Sequence, residues 1–441
     1  MARRATEAAP RTVRPSAALL LALLFIYLAL QSQYLFVTPF ISGPDEPEHL
    51  AYVVSIATRF QIPQMAPLRY APGQPIATPQ AQHPPLYYAL ASPLYLILAP
   101  FGRHAVWIGL RLLSVGCGLV ILWLCWLTAR TLRGQGRAQA YGMAAVLALL
   151  PTFLYATSTI NNEPLAAVFG AAGLYFTSRL LVEPFNQRVL LLLGVVLGLG
   201  ALTKMTTLGW WPAVAVGLLL AGRGKGWSTV ERRRSVLLAA LPALAIPAAW
   251  WIRCSYVYGT PMPRSFSQPL YQWGMPFTAE HVRILFYLIK QTIIGSYVPF
   301  FLIKTIVPEL PLLLGLGALS LALVVGIVRS LLLARETISA PAKRLAAVAA
   351  IALSACYLGL LHQTFFVDYA VAFSPGRYVF TYLPAAAYLV SVGMTGLLGS
   401  SRRTITGYAA LGAILIGLNL ACLILIRAFF AANPPQQILI P

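Results

Sequence analysis

Apolar runs, most of them long enough to cross a bilayer, follow one another along the chain with short polar breaks between them. The first, from about Ala17 to Val37, follows the basic stretch MARRATEAAPRTVRPSA. It is too long for a signal-peptide core and lacks a small-residue cleavage site, so it reads as an uncleaved first helix starting in the cytoplasm. Further runs fall at about 106–129, 139–158, 164–182, 188–203, 205–221, 235–252, 308–333, 345–363, 376–398 and 405–430. A crossing helix needs about 20 apolar residues, and the pattern predicts an all-α polytopic transmembrane bundle of about eleven spans.

One apolar run breaks the series. The stretch from Pro84 to Phe101 is short and holds Pro84, Pro85, Pro93 and Pro100. If it crossed, Arg130, Arg133 and Arg137 would lie outside, and every later loop would invert. Laid in the outer interface, it puts Arg3–Arg14, Arg130–Arg137, Arg179–Arg188, Arg223–Arg234, Arg335–Arg344 and Arg402–Arg403 on the inner side, the positive-inside pattern. The chain is then one transmembrane domain over 1–441, with residues 1–16 cytoplasmic and outer regions at 38–105 and 253–307. Interfacial helices are expected in the first region, and another near 280–304 in the second.

Composition agrees. The mean hydropathy of +0.75 and 59% apolar residues exclude an ordinary soluble domain. The net charge of +21 suggests nucleic acid at first sight, but the basic residues lie in short loops where they set orientation and meet lipid headgroups, so no nucleic-acid partner is expected. The five cysteines lack metal-ligand spacing and read as buried thiols.

Only 11 of 441 residues are acidic, yet three fall in Gly43-Pro44-Asp45-Glu46-Pro47-Glu48-His49, just past the first span. A capped helix starting near Pro47 would need one such acid. A carboxylate held ionised at a helix start also suits a base that takes an acceptor's hydroxyl proton, or a metal ligand. Gln82-His83-Pro84-Pro85-Leu86-Tyr87-Tyr88 is either an aromatic anchor or part of a site. Asn161-Asn162-Glu163-Pro164 opens a span at the same depth as Asp45, as a cap, a second carboxylate for a divalent cation (Mg or Mn), or a polar wall for a sugar. Lys204, Arg69, Arg253, Arg264 and Arg377 are outward-lying cations able to hold a lipid phosphate or to snorkel to headgroups. Arg377, in Ser374-Pro375-Gly376-Arg377-Tyr378, runs most plainly against the orientation rule and wants an anionic partner.

Taken in order, Pro44-Asp45-Glu46 with His49, His83-Pro84-Pro85-Leu86-Tyr87-Tyr88, Arg111-Leu112-Leu113-Ser114, Asn161-Asn162-Glu163-Pro164-Leu165, Leu202-Thr203-Lys204 and Gly376-Arg377-Tyr378 resemble the GT-C superfamily of polytopic glycosyltransferases. The likeness is to its protein mannosyltransferase and aminoarabinose transferase branch, and to relatives carrying PDEPxH after helix one. It implies a site on the extracytoplasmic face of the plasma membrane, a polyprenyl-phosphate-linked sugar donor and an inverting displacement. It further implies Asp45 as base or metal ligand with Glu46 beside it, and Glu163 as second acid. Lys204 and Arg377 would be phosphate contacts. Apart from what the resemblance implies, the candidate substrate contacts are His49, Arg69, His83, Tyr87, Asn162, Glu163, Arg253 and Tyr378. The aminoarabinose branch has an acid and a lysine where this chain has Gln82 and His83, and residues 206–375 match no motif. The acceptor, whether protein, lipid or glycan, stays open. A transporter or flippase would put charges near the bilayer midplane, and a non-catalytic envelope scaffold would use the outer acids only as caps.

Overall fold

The computed structural model describes residues 17–40, 42–70, 74–132, 136–264, 270–271, 276–299, 309–333, 338–367, 375–399 and 401–434. The N-terminal stretch 1–16, Asp368 and the end of the helix expected near 280–304 lie outside them. The described residues are helical almost throughout; the exceptions to coil and turn are two isolated bridges, Gln64 with Ala77 and Arg69 with Ala77.

Helix α1 (Ala17–Val37) is the first expected span, and α2 (Glu46–Arg59) opens with Pro47 in its first turn. α3 (Leu86–Leu98), prolonged by a 3₁₀ turn to Phe101, is the proline-rich run, and it packs on α2 and on α4 (Arg103–Thr131). Its 13 residues rise about 20 Å, short of a hydrocarbon core of about 30 Å. The run expected at 139–158 divides into α5 (Gly136–Leu149) and α6 (Pro151–Ala156), because Pro151 cannot donate to the preceding turn.

The chain continues through α7 (Glu163–Val182), α8 (Gln187–Ala201), α9 (Trp210–Gly224), α10 (Thr229–Tyr258) and α11 (Ala279–Tyr297). It closes with α12 (Glu309–Val328), α13 (Ala340–Phe366), the short α14 (Pro375–Val379), α15 (Leu383–Leu398) and α16 (Ser401–Ala432). Nine helices among the described residues are long and apolar enough to cross a membrane. The two further crossings expected from the sequence fall on the broken α5–α6 pair and on α8, which at 15 residues rises only about 22 Å. All five cysteines are free and buried.

The main core is built from α1, α4, α5, α7 and the later helices. A second, smaller core joins α2, α3 and the start of α4 around Tyr52, Tyr87, Tyr88 and Leu110. The polar groups gather where this smaller core meets the ends of α7 and α8 and the turn before α15.

Candidate functional site

Asp45 stands at the N-cap of α2, yet its side chain makes no capping bond. Its backbone is left-handed, φ 54°, a conformation that Asp tolerates better than most residues but that still carries strain. The turn sends the carboxylate away from the helix: Oδ2 takes Arg377 Nη1 at 2.8 Å and Gln80 Nε2 at 3.1 Å. With 37% of the side chain exposed, the carboxylate remains open to a ligand. The capped-helix reading therefore does not describe Asp45.

Arg377 links two carboxylates, since its Nε also reaches Glu163 Oε1 at 3.3 Å. The same Glu163 oxygen accepts Lys204 Nζ at 2.8 Å, with both side chains about 5% exposed. Lys204 lies over the ring of Tyr378, 5.9 Å from its centroid. Gly376 lets this segment close on α11: a Cβ there would meet Gly295 Cα at 2.7 Å. Asp45, Glu163, Lys204 and Arg377, far apart in sequence, thus form one alternating cluster. Beside it runs a cleft with an empty volume of about 450 Å³, whose walls include Pro44, Asn161, Glu163, Arg377 and Phe380.

Burial opposes ionisation of Asp45, but the charge and hydrogen bond of Arg377, aided by His83 and Lys204, outweigh it and hold the carboxyl below its usual range. Lys204 is pulled below its ordinary value, chiefly by burial, with Glu163 opposing the change. Burial also drives His49 and His83 well below the usual imidazole value, and the neighbouring cations add to it. Their rings stack at 6.2 Å, and His49 Nδ1 pairs with the Tyr88 hydroxyl at 2.9 Å. Glu48 moves the other way, raised mainly by burial.

Glu46 takes a different place from the one expected of it beside Asp45. Fully buried, it forms a two-pronged pair with Arg111, Nε and Nη2 each 2.7 Å from one carboxylate oxygen. Those oxygens also accept the amides of Ile160 and Gly43 at 2.9 Å. Arg111 spends its remaining donors on the carbonyls of Leu35, Thr38 and Pro39. No lone pair or proton of this pair is left for a ligand.

The other expected contacts divide. Asn162 donates to the Thr203 carbonyl at 3.3 Å, beside Lys204. Arg253 packs over Trp250 and Tyr258, close enough to Tyr52 for its charge to act on that phenol, and Tyr52 in turn donates to the His83 carbonyl. Tyr87 points into the smaller core, so Tyr88 rather than Tyr87 reaches His49. Arg69 is exposed, and its guanidinium bonds to Gln64. For the expected cation at Asp45 and Glu163, the donor set does not fit: Arg377 lies between the two carboxylates. Among the described residues no group of three or more His, Cys, Asp or Glu gathers.

Four buried polar atoms around the cluster lack a partner among the described residues: Glu48 Oε2, His49 Nε2, Gln80 Oε1 and Asn162 Oδ1. Such orphans are costly in a packed core and are a feature of sites shaped for a polar ligand.

Residues 82–252 match the family model described as dolichyl-phosphate-mannose-protein mannosyltransferase. The fold is similar to that of ArnT from Cupriavidus metallidurans bound to undecaprenyl phosphate, with a TM-score of 0.58 over 97% of this chain. The chain therefore has a GT-C-like fold, and residues 82–252 are similar to the mannosyltransferase family. Identity to that ArnT is 16%, and the chain spans 68% of its length. A second GT-C likeness is to the archaeal oligosaccharyltransferase AglB from Archaeoglobus fulgidus, in complex with an inhibitory peptide and a dolichol-phosphate: TM-score 0.51, 12% identity, 93% of this chain. The chain spans about half of AglB, 55%. No curated protein matches the sequence.

Sequence reading missed Gln80 and the structural use of Glu46. Arg111 carried a signal that could have been weighed, as a lone charge inside an apolar helix wants a named partner.

Proposed function

We propose that the protein moves a glycosyl group from a polyprenyl-phosphate-linked donor to an acceptor hydroxyl at the extracytoplasmic face of the plasma membrane. The observation that carries this reading is the Asp45–Arg377–Glu163–Lys204 cluster, in which a partly exposed, ionised Asp45 is paired with a cation beside a cleft that Glu163 and Arg377 line. The structures similar in fold are described with undecaprenyl phosphate and dolichol-phosphate, which supports a lipid-phosphate donor.

In the proposed reaction the acceptor oxygen attacks the anomeric carbon from the side opposite the phosphate. The new C–O bond forms as the anomeric carbon–phosphate oxygen bond breaks, inverting the centre. The acceptor's proton goes to Asp45, and the electron pair leaves with the phosphate. Arg377 and Lys204, pre-oriented by Glu163, stabilise the charge that builds on the leaving group. Arg253, whose Nη1 is buried without a partner among the described residues, is the further cation assigned to that phosphate. His49 and His83, held neutral, supply uncharged hydrogen-bonding edges for the sugar. No step needs a divalent cation.

The test follows release of undecaprenyl phosphate from an undecaprenyl-phosphate-linked sugar by purified protein in detergent, with Asp45→Asn beside the wild type. Release by the wild type that collapses in the variant is the expected result; equal release by both removes Asp45 from the reaction.

A further inference from the structure

A groove between α9 and α10, outside the cluster, has an empty volume of about 1390 Å³ and is lined mostly by apolar side chains such as Leu218, Val236, Ala239 and Leu244. Drug-sized ligands occupy sites of about 300–1,000 Å³. Its origin lies in α8. Gly194 and Gly198 sit one helical turn apart, and a Cβ on either would strike the backbone carbonyl of Ala239 or Pro242 at 2.4 or 2.7 Å. Small residues at this spacing let helix backbones close up, so α10 is drawn onto α8 and packs only lightly on α9.

The two ends of the groove differ. Toward the carboxylate cluster, Trp211 and Trp251 approach with ring centroids 6.2 Å apart. At the opposite end stand Arg223 and Arg232, with Ser235 beside them. Arg232 is anchored by Nε on the Trp227 carbonyl at 3.0 Å. The one acid nearby in sequence, Glu231, is occupied by its capping box with Ser228. From Trp211 to Arg223 the helix rises about 18 Å, near half of a hydrocarbon core of about 30 Å. An apolar channel one leaflet deep, with two guanidinium groups at its mouth, complements a chain-bearing anion.

We infer that this groove binds an anionic glycerophospholipid of the leaflet opposite the carboxylate cluster, with an acyl chain between α9 and α10 and its phosphate on Arg223 and Arg232. The cations assigned to the donor phosphate sit at the other end of α9, so this is a separate site, independent of the proposed transfer reaction.

The experiment measures binding of fluorescent phosphatidylglycerol to the full chain in detergent micelles. Arg223→Gln/Arg232→Gln should weaken binding at least tenfold, Arg223→Lys/Arg232→Lys should largely restore it, and phosphatidylcholine should compete poorly. Ala240→Trp, which fills the groove and leaves both arginines, should also abolish binding, a control should the charge variant fold badly. Unchanged affinity in the charge variant, or in Ala240→Trp, overturns the proposal. So does displacement by undecaprenyl phosphate at equal concentration, which would make the groove a seat for the donor's tail.

Discussion

At the scale of single residues, two neighbouring carboxylates do opposite jobs. Asp45 is ionised, strained and open, while Glu46 is sealed beneath it with every acceptor in use. Asp45→Asn keeps the shape and removes the base, so transfer should fall about 10²–10⁴-fold with little change in thermal midpoint; activity assay and unfolding in the same detergent check both. Glu46→Gln should behave in the reverse order. Leaving Arg111 as an unpaired buried charge costs about 3–5 kcal/mol, seen as a large fall in thermal midpoint, with activity lost through unfolding. Sequence alone exposed Asp45, Glu163, Lys204 and Arg377 because each interrupts an apolar pattern at the same predicted depth. It could not separate Asp45 from Glu46, since adjacent letters do not tell which side chain a left-handed turn sends outward.

At the scale of elements, hydropathy showed where apolar segments lie and was weaker on where they break. The proline-rich run 84–101 was legible as too short to cross, and α3 is such a helix. The run at 139–158 was not legible as two helices, because apolar content stays high across the Leu150–Pro151 junction. Helix-to-helix distance is invisible in hydropathy. The closeness of α8 and α10 rests on two glycines, and Gly194→Leu should destabilise the fold by overpacking, by about 1–3 kcal/mol or more. A volume-conserving change on the open side of α8, Leu191→Met, should be nearly silent. Unfolding in detergent compares them.

At the scale of the whole molecule, the buried neutral imidazoles make stability depend on pH. The folded values of His49 and His83 lie below an unfolded value of about 6.5. Below that pH the unfolded chain takes up protons that the folded chain refuses, so stability falls as pH falls. Glu48, raised in the fold, works in the opposite sense, so the decisive comparison is between proteins. Replacing both histidines by Gln should shrink the drop in thermal midpoint between about pH 7 and pH 5.5, the window opened by their lowered values. Orientation has its own measurement. All native cysteines are buried, so a membrane-impermeant maleimide should label Gln61→Cys in intact cells, and Arg188→Cys only after the membrane is opened.

The sealed Glu46–Arg111 pair touches the end of α1, the Asp45 loop, α4 and the strand of chain leading to Glu163. One fastener thus sets the separation of both carboxylates, and neither can drift without the other. Laboratory evolution toward a new sugar or acceptor should leave these four segments untouched and find its useful changes in the later half of the chain.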